Sequence, residues 1–254
     1  MSQQTAHLER PITSHDVASY RNDGFFLYHA QLLPPAMLAG LTELFEEHVA
    51  MLQEGQRTDE LNVPHFRDPR LLEFLLADEV LDLVEPFIGP NIGLWASHFI
   101  SKEPRIGRAT PWHEDSEYWN GRATTMEGII TIWLALDRAT EDNGCMRVLP
   151  GSHLSGGARE YESVDRRTNL FPTQIKPEQV DEARAVALEL DRGECSLHDA
   201  RLVHGAKPNT SDTRRCGYTM RYFTTAIHFY PERIVGHKLW LARGRDLGDN
   251  HYEN

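Results

Sequence analysis

The sequence has 254 residues, 40% of them hydrophobic and 25% charged, with a formal net charge of −12. This composition is typical of a globular protein, and the length is sufficient for one all-β domain with a substantial core. The negative charge argues against a nucleic-acid-binding protein, which needs a basic face to neutralise phosphates.

The cysteines and the N-terminus indicate the cellular environment. Cys145, Cys195 and Cys216 are odd in number and widely spaced, unlike a disulfide framework or a zinc knuckle. The first residues lack a basic and apolar signal pattern, and no apolar run approaches the length of a membrane span. We therefore predict a cytoplasmic protein without membrane or nucleic-acid partners, and the sequence does not indicate its oligomeric state.

The first ninety residues have mainly helical patterns. Thr13 and Asp16 stand at capping-box spacing and predict a short helix that ends near Gly24, followed by a strand over residues 24–28. Apolar residues at helical spacing predict a second helix over residues 36–53. Further helical segments are predicted from residue 69 to about 77 and then to Glu85, ended by Pro86 and Gly89-Pro90.

Strand patterns dominate the rest of the chain. Residues 94–102 and 128–136 are apolar and β-branched and predict buried strands. The turn Glu141-Asp142-Asn143-Gly144 predicts a hairpin with residues 145–149. Shorter strands are predicted over residues 186–190, 194–197, 201–205 and 217–224. Residues 155–184 are charged and irregular, which indicates an inserted lid or surface loop.

Helices followed by many short strands favour one architecture. We predict a mainly β fold with flanking helices, a double-stranded β-helix (jelly roll, cupin-like). The whole chain, residues 1–254, is predicted to be a single domain. It has a helical N-terminal part over about 13–90, a jelly-roll core over about 92–225 and a C-terminal tail over 226–254.

A histidine and an aspartate, His113 and Asp115, stand one residue apart in a segment that we expect to be extended. Residues i and i+2 of a strand lie on the same face, so both side chains can bind one metal ion. One such pair means little in a chain with 13 histidines, but His204 and, eleven residues later, Arg215 complete a larger pattern. Two histidines and a carboxylate are the ligands of non-heme Fe(II) oxygenases.

These motifs resemble those of a known family. His113-x-Asp115, His204-Gly205 with Pro208-Asn209, and Arg215 are similar to the motifs of the phytanoyl-CoA dioxygenase family of Fe(II)/2-oxoglutarate-dependent oxygenases. Asn143-Gly144-Cys145 and Leu149-Pro150-Gly151-Ser152-His153 also match, and the similarity extends over about residues 20–223.

The resemblance implies Fe(II), 2-oxoglutarate and O2 as cofactor and cosubstrates. It implies His113, Asp115 and His204 as metal ligands, and Arg215 as the partner of the distal carboxylate of 2-oxoglutarate. Trp133 and His98 stand where the family contacts the cosubstrate, although His98 departs from the family's residue. His198 lacks a matching pair, His251 stands in a His-x-Glu of a polar tail, and His153 belongs to the Pro-Gly-Ser-His turn, so none of them is expected to bind the metal.

The family's reaction releases succinate and CO2 and, with Asp115 present, favours hydroxylation over halogenation. Glu114 replaces a glutamine of several relatives and Ala206 a serine of many, so the polar contacts made there by relatives are not expected here.

The residues expected to contact the substrate are polar and aromatic. They are Asn62, His65, Arg67, Ser97, Tyr118 and Trp119, with Arg147 as a further candidate. Such a wall favours a small charged metabolite, a small-molecule substrate, over a long acyl chain. The resemblance implies the candidates, because the family includes enzymes that act on aminoalkylphosphonates and on amino-acid-like osmolytes: an aminoalkylphosphonate such as 2-aminoethylphosphonate or a betaine-like zwitterion. The alternatives are a natural-product or acyl-CoA hydroxylase of the same family, and a metal-dependent cupin-type isomerase, hydrolase or ligand sensor.

Overall fold

The computed structural model describes residues 8–155 and 159–253. Its strands are β1 (Phe25–Tyr28), β2 (Leu61–Asn62), β3 (Ile92–Lys102), β4 (Thr110–His113), β5 (Ile129–Ala135), β6 (Met146–Val148), β7 (Tyr161–Ser163), β8 (Thr173–Ile175), β9 (Val186–Leu188), β10 (Cys195–Asp199), β11 (His204–Ala206), β12 (Arg215–Thr224) and β13 (Trp240–Arg243). Its α-helices are α1 (Ser14–Asp23), α2 (Pro35–Ala50), α3 (Leu72–Leu75), α4 (Asp78–Ile88) and α5 (Asp115–Trp119).

Two antiparallel sheets form the predicted jelly roll. The major sheet has the strand order β1-β10-β5-β12-β3-β13, with β2 added to β3, and the minor sheet has the order β4-β11-β6-β9. Strands β7 and β8 form a separate hairpin. Strand β12 lies between β5 and β3, with Thr219 opposite Trp133 on one side and His98 on the other. The register therefore places residues from three strands side by side in the interior.

The helices cover the outer face of the major sheet. The buried residues Leu41 and Phe45 of α2 and Val84 of α4 belong to the same core as Tyr218 of β12. Burial of this apolar surface is the main force that holds the helices on the sheet. None of the helices in the described residues is long and apolar enough to cross a membrane.

The predicted start of α1 is confirmed in detail. The Thr13 hydroxyl accepts from the Asp16 amide, and the Asp16 carboxylate accepts from the Thr13 amide. Gly24 ends the helix with φ 82°, the left-handed conformation that glycine adopts without strain. Of the two predicted stop signals of α4, Gly89 is confirmed and Pro86 is not. The helix continues to Ile88 and ends at Gly89, because a proline in the last turn removes only one of many helical hydrogen bonds.

Two other predictions need correction. The turn at residues 141–144 forms, with Gly144 donating to the Glu141 carbonyl, but it does not close a hairpin. It leads the chain from β5 in the major sheet to β6 in the minor sheet, where β6 pairs with β11 and β9. Residues 159–184 of the predicted lid contain β7, β8 and two short 3-10 turns; residues 156–158 of that segment lie outside the described residues.

Candidate active site

Three candidate metal ligands meet between the two sheets. His113 ends β4, and His204 begins β11 directly opposite it in the minor sheet. Asp115 is the first residue of α5, so the segment that we expected to be fully extended turns into a helix at this point. Glu114 between them is extended, which still brings both side chains to one side. One ligand atom from each of the three buried residues lies within 4.8 Å of the others.

Backbone carbonyls orient both imidazole rings. The Nδ1 of His113 lies 2.8 Å from the Pro111 carbonyl, and the Nδ1 of His204 lies 2.8 Å from the Leu202 carbonyl. A carbonyl can only accept, so Nδ1 carries the proton in each ring and Nε2 keeps its lone pair. Burial lowers the pKa of His113 and, more strongly, that of His204. Both imidazoles are therefore held in the neutral form that binds metal.

Asp115 presents one oxygen to the histidines and the other to the major sheet. Its Oδ1 lies 3.8 Å from the Nε2 of His113. Its Oδ2 lies 3.3 Å from the hydroxyl of Thr131 and 3.4 Å from the Nε of Arg221. Burial would raise the pKa of Asp115, but Arg221 and the nearby imidazoles hold it well below its usual range. The carboxylate is therefore ionised, and the set of two neutral imidazoles and one carboxylate fits Fe(II).

Arg215 is a buried cation next to this triad. Its Nε and Nη2 donate to the Gly144 carbonyl, at 2.9 and 2.5 Å, and its guanidinium lies 5.0 Å from the ring of Trp133. In the described part of the chain, no carboxylate lies within ion-pair distance of it. Burial lowers the pKa of Arg215 to about 10. A buried cation without an anion is costly, which indicates that a ligand carboxylate belongs here.

One small inner cavity, of about 40 Å³, joins Arg215 to the triad. It is lined by both sheets and includes Trp133, as the sequence predicted. A larger outer cavity, of about 350 Å³, shares Asp115, Phe171 and Arg221 with it. Phe171 packs edge-on against His113, with ring centroids 4.8 Å apart. The segment predicted as a lid thus contributes a wall where the two cavities meet.

The outer cavity contains half of the residues predicted to contact substrate. Asn62, Tyr118 and Trp119 line it. His98, predicted to contact the cosubstrate, lines it as well and is absent from the lining of the inner cavity. The Nε2 of His98 donates to the Asp59 carbonyl at 3.2 Å, and burial lowers its pKa to about 4. His98 is therefore a neutral residue on the substrate side.

The other predicted substrate residues lie elsewhere. Ser97 alternates with His98 on β3, so it faces the helices, where it bonds to His65 at 2.6 Å and to Tyr218 at 2.9 Å. Arg67 lines a separate surface groove next to α2. Arg147, the weaker candidate, pairs with Glu182. None of these four residues lines the inner or the outer cavity.

Two polar residues near Asp115 were missed. Arg221 follows Arg215 by six positions on one strand, so the period of two places both on the same face, and the sequence did contain that signal. His198 was rejected as a ligand; the structure places its Nε2 3.8 Å from Asp115 Oδ2, beyond hydrogen-bond distance, and leaves both ring nitrogens without a hydrogen bond in the described residues. Its position follows from its pairing with Thr131 on β5, which the sequence did not reveal.

Comparison with known proteins identifies the family. A family model described as phytanoyl-CoA dioxygenase (PhyH) matches residues 20–217. A phytanoyl-CoA dioxygenase domain-containing protein 1 homolog from Dictyostelium discoideum is 31% identical over 160 residues, which are 62% of this chain and 56% of the relative. A probable alpha-ketoglutarate-dependent hypophosphite dioxygenase from Stutzerimonas stutzeri is 32% identical over 156 residues, 60% of this chain and 52% of the relative. The chain thus matches about half the length of these curated relatives.

A solved structure extends the comparison to the cosubstrate. EvdO2 from Micromonospora carbonacea var. aurantiaca, in complex with 2-oxoglutarate, has a TM-score of 0.71 and 26% identity, covering 87% of this chain and 94% of EvdO2. The family model covers most of the jelly roll, including the triad and Arg215. The chain therefore belongs to the phytanoyl-CoA dioxygenase family, and its jelly roll holds a ligand set that fits an Fe(II)- and 2-oxoglutarate-dependent oxygenase domain.

Proposed function

We propose that this protein is a 2-oxoglutarate-dependent dioxygenase that hydroxylates an unactivated C–H bond of a small polar metabolite, with release of succinate and CO2. One observation carries the proposal: a His-Asp-His triad and a buried arginine without a carboxylate partner among the described residues share one cavity. A dicarboxylate with a 2-oxo group at one end can reach both, which explains why a cation is kept in an apolar interior.

Each residue then has a distinct task. His113, Asp115 and His204 would hold iron(II), which when bound activates O2 for oxidation of the 2-oxo acid and of the substrate. Arg215 would orient the distal carboxylate through parallel N–H donors. Trp133 covers the guanidinium and limits access of water to that ion pair. Burial of the triad keeps the imidazoles neutral.

The outer cavity supports a zwitterionic substrate. Tyr118 and Trp119 supply aromatic surface, which favours a substituted ammonium group, and Asn62 supplies an amide. We keep 2-aminoethylphosphonate and betaine-like compounds as the leading candidates. The relative named for hypophosphite, a phosphorus oxyanion, supports the phosphonate.

The aromatic side chains of the outer cavity favour a second candidate of the same class. Trp95 and Phe171 line it beside Tyr118 and Trp119, which extends the apolar surface offered to a ring system. Hydroxylation of a larger natural product is therefore the second candidate function. A long acyl-CoA fits the polar and charged wall less well.

A substrate panel tests the proposal. Purified protein with Fe(II), 2-oxoglutarate and O2 is incubated with aminoalkylphosphonates, betaines and larger natural products, and succinate is measured for each. We expect one group to raise succinate formation well above the uncoupled rate, with loss of the signal in His204→Ala. Turnover of a compound without O2 would instead support the isomerase or hydrolase alternative.

A further inference from the structure

Arg221 projects from β12 to the boundary between the two cavities and lines both. It is 8% exposed. On its inner side it contacts Asp115, and on its outer side it faces the cavity that we assign to the substrate. This inference rests on the proposed function, because it concerns the substrate of the same site.

Two contacts fix the guanidinium of Arg221. Its Nε lies 3.4 Å from Asp115 Oδ2, and its Nη1 donates to the Thr219 hydroxyl at 3.0 Å. The ring of Trp119 lies 5.4 Å from its Cζ. Arginine has five N–H donors, and within the described residues Nη2 has no hydrogen-bond partner. A rigid cation thus retains unused donors at the boundary of the cavities.

The other charges of the outer wall leave this cation in excess. Asp59 is bound by Arg108 at 2.6 Å, and Glu60 by both Arg108 and Arg166. Asp115 faces the metal. No further acidic residue lines the outer cavity within the described chain. The cavity is therefore locally short of negative charge although the protein carries −12 overall.

The charges of the site with iron(II) and 2-oxoglutarate bound also leave one positive charge in excess. Iron(II) and the two arginines, Arg215 and Arg221, supply four positive charges. Asp115 and a 2-oxoglutarate dianion supply three negative charges. The triad histidines count as neutral because an imidazole must be unprotonated to bind a metal ion. One positive charge remains, and it lies where the substrate enters.

We propose that Arg221 is the anion anchor of the substrate site, binding a carboxylate, phosphonate or phosphate group through its Nη2 edge. The anchor would hold the anion beside Asp115 and place the neighbouring carbon next to the metal. A substrate without an anionic group would leave Arg221 with the same unused donors that it has in the ligand-free protein. The alternative is that Arg221 only neutralises Asp115.

Binding of methylphosphonate separates these two roles. The protein is loaded with Zn(II) and 2-oxoglutarate, which occupy the triad and Arg215 without turnover, and the probe is titrated while the fluorescence of the tryptophans, including Trp119, is followed. Dimethyl sulfone serves as a neutral probe of similar size. The variants are Arg221→Gln, Arg221→Lys and, as a control with the same charge change, Arg122→Gln at the exposed rim.

We expect wild type to bind methylphosphonate and not the sulfone. Loss of a charge-assisted hydrogen-bonding partner should weaken binding by about 10- to 100-fold in Arg221→Gln. Arg221→Lys should recover part of the affinity, and Arg122→Gln should change it by less than about threefold. Equal affinity in Arg221→Gln and wild type, or competition of the probe with 2-oxoglutarate at Arg215, would overturn the proposal.

A second measurement separates this proposal from the proposed function. Anaerobic Fe(II) and 2-oxoglutarate at saturating concentrations should still produce the visible charge-transfer band in Arg221→Gln, as in wild type. If wild type gives no band, the oxygenase assignment itself fails. If both give the band and phosphonate binding does not depend on Arg221, only the anion anchor is wrong.

Discussion

Replacement of Arg215 should strongly weaken the binding of 2-oxoglutarate. Burial lowers its pKa to about 10 from an ordinary value of 12.5, which corresponds to roughly 3 kcal/mol against the charged form in the ligand-free protein. A carboxylate that pairs with the guanidinium recovers much of this free energy and adds charge-assisted hydrogen bonds of about 1.5 to 3 kcal/mol each. Arg215→Ala should therefore weaken 2-oxoglutarate binding at least about 100-fold.

The assay is an anaerobic titration of 2-oxoglutarate into the Fe(II)-loaded protein. Iron affinity should change little, since Arg215 contacts none of the three ligands. Arg215→Lys keeps the charge but loses the planar pair of donors, so an intermediate affinity is expected. Thermal unfolding checks that each variant is folded, because Arg215 also bonds to the Gly144 carbonyl. A dissociation constant for Arg215→Ala within about threefold of wild type would refute the reasoning.

Three further predictions follow from the site and the core. His204→Ala should lose tight metal binding and all turnover; wild-type activity in this variant would exclude His204 as a ligand. Phe171→Ala removes the ring that packs on His113 and lines both cavities, so it should weaken the binding of substrate and, to a smaller extent, that of 2-oxoglutarate, as measured by separate titrations; unchanged substrate affinity would contradict this. Burial lowers the pKa of His65 to about 3. As the pH falls, His65 takes up a proton in the unfolded chain before it does so in the folded protein, so this residue lowers the free energy of unfolding below about pH 6.5, by about 2 kcal/mol at pH 5. Denaturant unfolding at pH 7 and pH 5 should show a smaller decrease in the free energy of unfolding for His65→Gln than for wild type. An equal decrease in both would contradict the prediction.

The sequence predicted the parts of the structure that depend on local chemistry. The Thr13 capping box, the left-handed Gly24 and the apolar strands follow from neighbouring residues alone. The triad was found because its three members stand in motifs with characteristic spacing, and the position of each within its strand or turn is set locally.

The errors concern how strands pair and which way they face. Ser97 and His98 are adjacent on β3, so their side chains lie on opposite faces of the major sheet. Only the structure shows that His98 faces the cavity and Ser97 faces the helices. The turn at residues 141–144 predicts a hairpin, but β6 pairs with β11 in the minor sheet and not with β5. His198 lies near Asp115 because it pairs with Thr131 on the neighbouring strand. Such pairing joins residues that are far apart in the sequence.

The most direct test of the account is the anaerobic addition of Fe(II) and 2-oxoglutarate to metal-free protein. We expect a weak visible charge-transfer band of the chelated 2-oxo acid that requires His113, Asp115 and His204 and, at limiting cosubstrate, Arg215. Absence of the band in wild type at saturating metal and cosubstrate would contradict the assignment, and the isomerase, hydrolase or sensor alternatives would then take its place.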